Sequence, residues 1–321
     1  MSVKTHHHLM NVLIFLLIGV LWGLNWPAVK FLLTEIKPLS IRAISFTAAA
    51  FVLGIATILL KQPLRLKKDE AAATAIVGVF LIGGFNVLTA FGQLFLEASK
   101  AAIIAYTMPP LTAILATIFL RERLEKNVVL ALLIAMFGLG ILASEDLNSL
   151  IKNPIGTVIM LFAALCWAIG NVGMKSKRWS LKPLPLTAWF FAFSSLVTWP
   201  LALIWEPLWK QNWPSSHVLA TLAYHVLGPM VICYILWSVL VSRLPATVAA
   251  VSALTAPVVG VLSSALLLGE TLSWQKGIAL AAILFSIALT TIIPKRKQTN
   301  SASCDQSSST TDRRAQENAD I

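Results

Sequence analysis

Apolar stretches about as long as a bilayer is thick recur along the chain, roughly at 10–30, 41–60, 73–95, 101–120, 127–144, 155–174, 186–204, 218–240, 247–268 and 275–293. A helix needs about 20 apolar residues to cross the hydrocarbon core. Short polar clusters separate the stretches, as expected for antiparallel helices joined by tight connections. The pattern predicts an all-α polytopic membrane protein with ten transmembrane helices. The segments at 101–120 and 218–240 contain prolines, so breaks are expected there. The first stretch follows Lys4 as a signal peptide would, but it is too long for an h-region and no small-residue cleavage site follows. It reads as an uncleaved helix.

Composition agrees: 57% of residues are hydrophobic, 12% are charged, and mean hydropathy is +0.79. A soluble domain carries about a quarter charged residues. The net charge of +11 raises a nucleic-acid reading, but the basic residues sit in short clusters between apolar runs, where membrane orientation explains them. With the N-terminus inside, every basic residue falls on the cytoplasmic side except Lys30, Lys37, Arg42, Lys100, Lys152, Lys210 and Lys276. Both termini are therefore expected in the cytoplasm of a bacterial cell, with the chain in the inner membrane. The three cysteines, Cys166, Cys233 and Cys304, have no repeated spacing and read as packing residues. His6 to His8 read as incidental, and no metal or cofactor is expected.

The two halves resemble each other. An offset of 145 residues brings Trp22 onto Trp167, Lys30 onto Lys175, Lys37-Pro38-Leu39 onto Lys182-Pro183-Leu184, and Ala43 and Phe46 onto Ala188 and Phe191. An offset of 148 brings Leu96, Ala98, Ala101, Ala102, Ala105, Thr107 and Pro109 onto Leu244, Ala246, Ala249, Ala250, Ala253, Thr255 and Pro257. The same offset matches Leu120, Glu122 and Leu124 with Leu268, Glu270 and Leu272. Apolar composition alone does not align a proline, a glutamate and a lysine. Five helices per half is an odd number, so the second half is inverted relative to the first. The expected organisation is a segment 1–9, a first five-helix repeat 10–144, a connecting loop 145–154, a second repeat 155–293 and a disordered cytoplasmic tail 294–321.

The Trp22-Gly23-Leu24-Asn25 turn with Lys30 behind it resembles the start of an EamA-type repeat. The Ala98–Leu124 block, with its A-x-x-A-x(7)-P core and terminal Glu-x-Leu, does so too. The resemblance to the EamA-type transporters of the drug/metabolite transporter superfamily covers roughly residues 10–293. It implies two inverted five-helix repeats and export of amino acids, nucleobases or related metabolites.

Polar groups inside a membrane tend to line a pathway. Asn25 lies one turn from Trp22, and Asn171 makes the corresponding pair with Trp167. Asn86 and Gln93 are seven apart, on one helix face, and Tyr234 and Trp237 share another. With Tyr106, these nine residues are the candidate solute cavity, aromatic in its walls with neutral amides. Such a lining suits a zwitterion or a flat polar solute. Interhelical hydrogen bonding is the plainer reading of the same residues. His225 is the candidate for proton coupling, with an interhelical structural role as its alternative and Glu97 as a weaker candidate. Lys30 and Lys175 are gate or interface candidates, against simple snorkelling. Pro109 and Pro257 are expected to kink their helices. Glu122 and Glu270 are expected to bond helix-end amides of the next helix. Trp199, Trp205, Trp209 and Trp213 read as interfacial anchors, with an aromatic lid as the alternative.

No His-Glu-x-x-His, Gly-x-Ser-x-Gly or phosphate-loop motif is present, so an enzyme or ATP-driven pump is disfavoured and no catalytic residue is assigned. The expected activity is secondary transport, exporting a small organic metabolite, an amino acid or derivative, by alternating access. A flippase for lipid or a lipid-linked carrier is the alternative. The expected partners are a small-molecule substrate and the lipid bilayer, without nucleic acid; a homo-oligomer is compatible with the pattern.

Overall fold

The computed structural model describes residues 3–121, 126–146, 154–237 and 246–292. Glu122, the tail from 294 and most of the 145–154 connection lie outside them. Among the described residues every regular element is helical. Six helical stretches are long and apolar enough to cross a membrane: Pro38–Leu59, Lys68–Phe95, Ala98–Phe119, Ile155–Lys175, Pro183–Lys210 and Ser216–Trp237. Shorter apolar helices lie at Leu16–Leu32, Val129–Leu142 and Ala256–Leu268. The chain is a multi-pass membrane protein.

The helices are α1 (Val3–Leu32), α2 (Pro38–Leu59), α3 (Lys68–Gly78), α4 (Phe85–Phe95), α5 (Ala98–Ala105), α6 (Met108–Phe119) and α7 (Lys126–Ala143). They continue as α8 (Ile155–Lys175), α9 (Pro183–Trp205), α10 (Ser216–His225), α11 (Ala246–Leu268) and α12 (Trp274–Ile292). Local chemistry explains several ends. α2 and α9 both open on a Lys-Pro-Leu triplet. Lys37 and Lys182 hold extended backbone, φ −72° and −65°, and the prolines occupy the first turn, where no N–H is needed.

The two proline-bearing stretches are irregular in different ways. Residues 98–119 form two helices, α5 and α6, broken at Tyr106 and Thr107. Pro109 therefore stands in the first turn of a new helix and does not bend a continuous one. Pro257 lies within the continuous α11. In the other stretch, α10 passes into a π-helical turn, Val226–Ile232, built around Pro229. A second π-helical turn, Val79–Gly84, joins α3 to α4. Such widened turns reorient the side chains that follow them and cluster at functional sites.

Packing joins elements far apart in sequence. α1 runs against α11, α2 against α9, α7 against α12, and α4 against α8. The α1–α11 approach depends on Gly23, where a Cβ would stand 2.5 Å from the Val259 Cβ. Gly170 does the same for α8, where a Cβ would stand 2.6 Å from the Leu81 Cα. Small residues let membrane helices approach to backbone contact. The outer surface carries exposed Phe51, Leu59, Phe119, Phe137, Leu266 and others. An apolar surface this extensive is matched by lipid as solvent.

Glutamates fasten the helix ends. Glu270 accepts from the Ala98 N–H at 2.6 Å, the Ser99 N–H at 3.0 Å and the Ser99 hydroxyl, at the start of α5. Glu270 thus bonds helix-end amides, but those of the distant α5 and not, as the sequence suggests, those of the next helix. Three more carboxylates each accept from the N–H and hydroxyl of one serine: Glu35 with Ser215, Glu70 with Ser180, and Glu206 with Ser40. Helix N-termini leave N–H groups unbonded and favour anions. The clamps of Glu35 and Glu70 lie beyond opposite ends of α2, about 30 Å apart at 1.5 Å per residue.

Candidate functional site

A cavity sits among α1, α2, α4, α6, α8 and the second π-helical turn. It is lined by Trp22, Asn25, Trp26, Val29, Arg42, Phe85, Asn86, Thr89, Gln93, Tyr106, Met108, Trp167, Met230 and Tyr234. The empty space, including its open mouth, is about 540 Å³.

Seven of the nine residues expected in the cavity line it: Trp22, Asn25, Asn86, Gln93, Tyr106, Trp167 and Tyr234. Asn171 and Trp237 do not. Asn171 is buried and bonds the Trp167 carbonyl within its own helix at 3.0 Å. It lies four residues after Trp167, whereas Asn25 lies three after Trp22, so the two amides leave their helices in different directions. Trp237 packs behind Trp22, ring centroids 5.6 Å apart.

The aromatic wall is one connected cluster. Trp22 meets Trp167 edge-on at 6.0 Å and Tyr234 at 5.7 Å. Phe85 lies 4.8 Å from Trp167, and Phe191 supports Tyr234 from behind at 5.1 Å. Each such pair contributes about 0.5–1.5 kcal/mol beyond area burial. The π-helical turns set this geometry. The Trp22 Nε1–H donates to the Pro229 carbonyl within the second turn at 3.2 Å. Asn86, just after the first turn, donates to the Ile82 carbonyl at 2.9 Å and to the Tyr234 hydroxyl at 3.2 Å.

One side of the cavity is ionic. Arg42, only 1% exposed, places Nη1 2.9 Å from His225 Nε2. His225 is fully buried, and its Nδ1 lies 2.6 Å from Asn25 Oδ1. A guanidinium only donates, so Nε2 of His225 accepts and Nδ1–H donates to the Asn25 oxygen. The imidazole is thereby neutral, its tautomer fixed from both sides. The candidate for proton coupling thus forms the middle of an Arg42–His225–Asn25 relay. A proton on Nε2 would break the bond to Arg42 and set two cations side by side. The sequence reading placed Arg42 among the charges outside the cytoplasm and overlooked its role in the cavity. Its visible signal is an arginine inside the apolar stretch 41–60. Under the 145-residue offset it falls on Thr187, so a search for identities between the halves passes over it.

The remaining candidates lie outside the cavity. Lys30 donates to the Gln93 and Leu96 carbonyls at the C-terminal end of α4, the latter at 2.9 Å. It satisfies free helix-end carbonyls instead of snorkelling. Lys175 is exposed, so the two lysines differ. Glu97 pairs with Lys276. Trp205, Trp209 and Trp213 are largely exposed and do not line the cavity, whereas the Trp199 indole donates to Thr47 Oγ1 at 2.7 Å.

The sequence profile of the EamA-like transporter family matches residues 9–144 and again 154–292. The chain belongs to the EamA-like transporter family. Curated relatives match most of this EamA-like chain. An "Uncharacterized transporter YoaV" of Bacillus subtilis is 21% identical over 257 residues, 80% of this chain and 88% of that one. A "Probable amino-acid metabolite efflux pump" of Salmonella typhimurium is 27% identical over 272 residues, covering 80% and 87%. A protein of known crystal structure superimposes with a TM-score of 0.65 at 20% identity, over 88% of this chain and 96% of that chain. That likeness shows a shared fold for this EamA-like transporter.

Proposed function

We propose that this chain is a secondary transporter that exports a small organic metabolite, an amino acid or amino-acid derivative, across the bacterial inner membrane. Ten spanning helices form two inverted five-helix repeats, with both termini in the cytoplasm, and the repeats rock to expose the cavity to each side in turn. The observation that carries this reading is that equivalent residues of the two halves meet each other. Trp22 touches Trp167 and Phe46 touches Phe191, each pair separated by the 145-residue offset. Asn86 bonds Tyr234, its equivalent at the 148-residue offset. Equivalent residues meet where a two-fold axis passes between two halves, and these contacts support an axis beside the cavity wall. A cavity at the contact of two such halves suits alternating access.

The efflux role named for the Salmonella relative supports the direction and the substrate class. Counterflow in proteoliposomes tests the reading: vesicles preloaded with an unlabelled amino acid take up its labelled form. Saturable accelerated uptake of one amino acid is the expected outcome. Correctly inserted, folded protein that exchanges neither amino acids nor other small metabolites would overturn it.

A further inference from the structure

We infer that the solute carries a carboxylate, and that Arg42 is the residue that receives it in the cavity. The inference deepens the transporter reading above and rests on it.

Arg42 is the charged member of the cavity lining, and no Asp or Glu among the described residues pairs with it. Its observed partner is the neutral His225, and its Nε, shielded from solvent, has no hydrogen-bond acceptor. A buried cation without a counter-ion carries a large desolvation cost. Lys276, the other fully buried cation among the described residues, is relieved by Glu97 and the Thr271 carbonyl. Among the described residues Arg42 has no such relief, so the group that completes it comes with the solute. The guanidinium fork matches a carboxylate in two parallel bonds.

Neighbouring groups define the head further. Among the described residues the lining holds one cation, which suits a single negative charge and not a doubly charged phosphate. Gln93 presents a second buried atom without a partner, the acceptor Oε1. It offers a place for a donor such as an amine, and the indoles of Trp22, Trp26 and Trp167 in the same lining suit an apolar side chain or attract an ammonium. His225 and Asn25 hold the guanidinium in place.

The test is counterflow with three probes of one shape: 3-phenylpropionate, which has the acid alone; L-phenylalanine, which has acid and amine; and phenethylamine, which has the amine alone. The wild-type protein should exchange the two acids and leave phenethylamine at background. Arg42→Gln should lower exchange of both acids by about tenfold or more, the range for a lost bond to a charged group. Arg42→Lys, which keeps the charge and loses the fork, should retain a part. Size-exclusion profiles and melting temperatures of both variants report folding separately. If Arg42→Gln fails to fold, Arg42→Lys and the wild-type probe preference decide the matter. Exchange of phenethylamine as fast as the acids, or an acid preference unchanged in folded Arg42→Gln and Arg42→Lys, would overturn the inference while leaving a working transporter. Silence for all three probes and for a wider set of amines, neutral solutes and acids would overturn both readings together.

Discussion

Arg42 and Lys276 are both withdrawn from solvent, yet the protein treats them in opposite ways. Lys276, in the first turn of α12, donates to the Glu97 carboxylate and to the Thr271 carbonyl. It ties the start of α12 to the start of α5, beside the point where Glu270 caps Ala98 and Ser99. Arg42, one turn inside α2, rests against a neutral imidazole and faces an aromatic cavity. The first charge is spent on holding helices together. The second is left for something outside the chain. Burial alone therefore does not identify a functional charge; the presence or absence of a counter-ion does.

The largest effect should come from breaking the satisfied pair. Glu97→Ala strands the Lys276 ammonium and should cost on the order of 3 kcal/mol, the low end for an orphaned buried charge because Glu97 itself is partly exposed. Folded yield and melting temperature in detergent check this. Lys276→Met combined with Glu97→Ala should recover most of the loss, since an apolar side chain replaces a buried pair at little cost. Arg42→Met makes the contrasting case, with transport abolished and the melting temperature unchanged or raised. A fall in stability as large as that of Glu97→Ala would place Arg42 with the structural charges.

A smaller effect is expected from Asn25→Ala. It removes the acceptor that fixes the His225 tautomer, and should reduce the counterflow rate severalfold with little change in folded yield, as one lost neutral bond of about 1 kcal/mol implies. The smallest effect concerns Glu35, in the connection after α1. The Ser215 N–H and hydroxyl bind its ionised form and hold its carboxyl below the usual carboxylate range. Its contribution is present at neutral pH and is lost as the pH falls through that lowered value. Acid melting curves of the Glu35→Gln variant should be slightly flatter in that window than those of the wild type.

The six long apolar helical stretches were legible because each crossing demands a long apolar run, but α2 and α9 open at their Lys-Pro-Leu triplets, three residues before the expected 41 and 186. Seven of the nine expected lining residues were legible too, since polar and aromatic side chains inside apolar stretches tend to face a cavity and not lipid. Three things were not. The break at Tyr106 and Thr107 turned Pro109 from a kink into a helix start, a difference of tertiary context that a proline alone does not reveal. Asn171 was misplaced because one extra residue between it and Trp167 rotates it by about 100° around the helix. Arg42 was missed because repeat symmetry rewards what the halves share, and Arg42 is where they differ.

The clamps at the ends of α2 carry a consequence for the ancestry and assembly of the chain. The 145-residue offset places Glu35 on Ser180, and Glu70 on Ser215. The Glu35–Ser215 and Ser180–Glu70 bonds are thus the same junction with acid and hydroxyl exchanged. Two copies of the first half would press carboxylate against carboxylate at both junctions. Two copies of the second would offer hydroxyl to hydroxyl. Only the mixed pairing closes both, so each half has diverged into a lock that its own twin does not fit. Whatever symmetry their common origin supplied, these halves are now bound to each other's company.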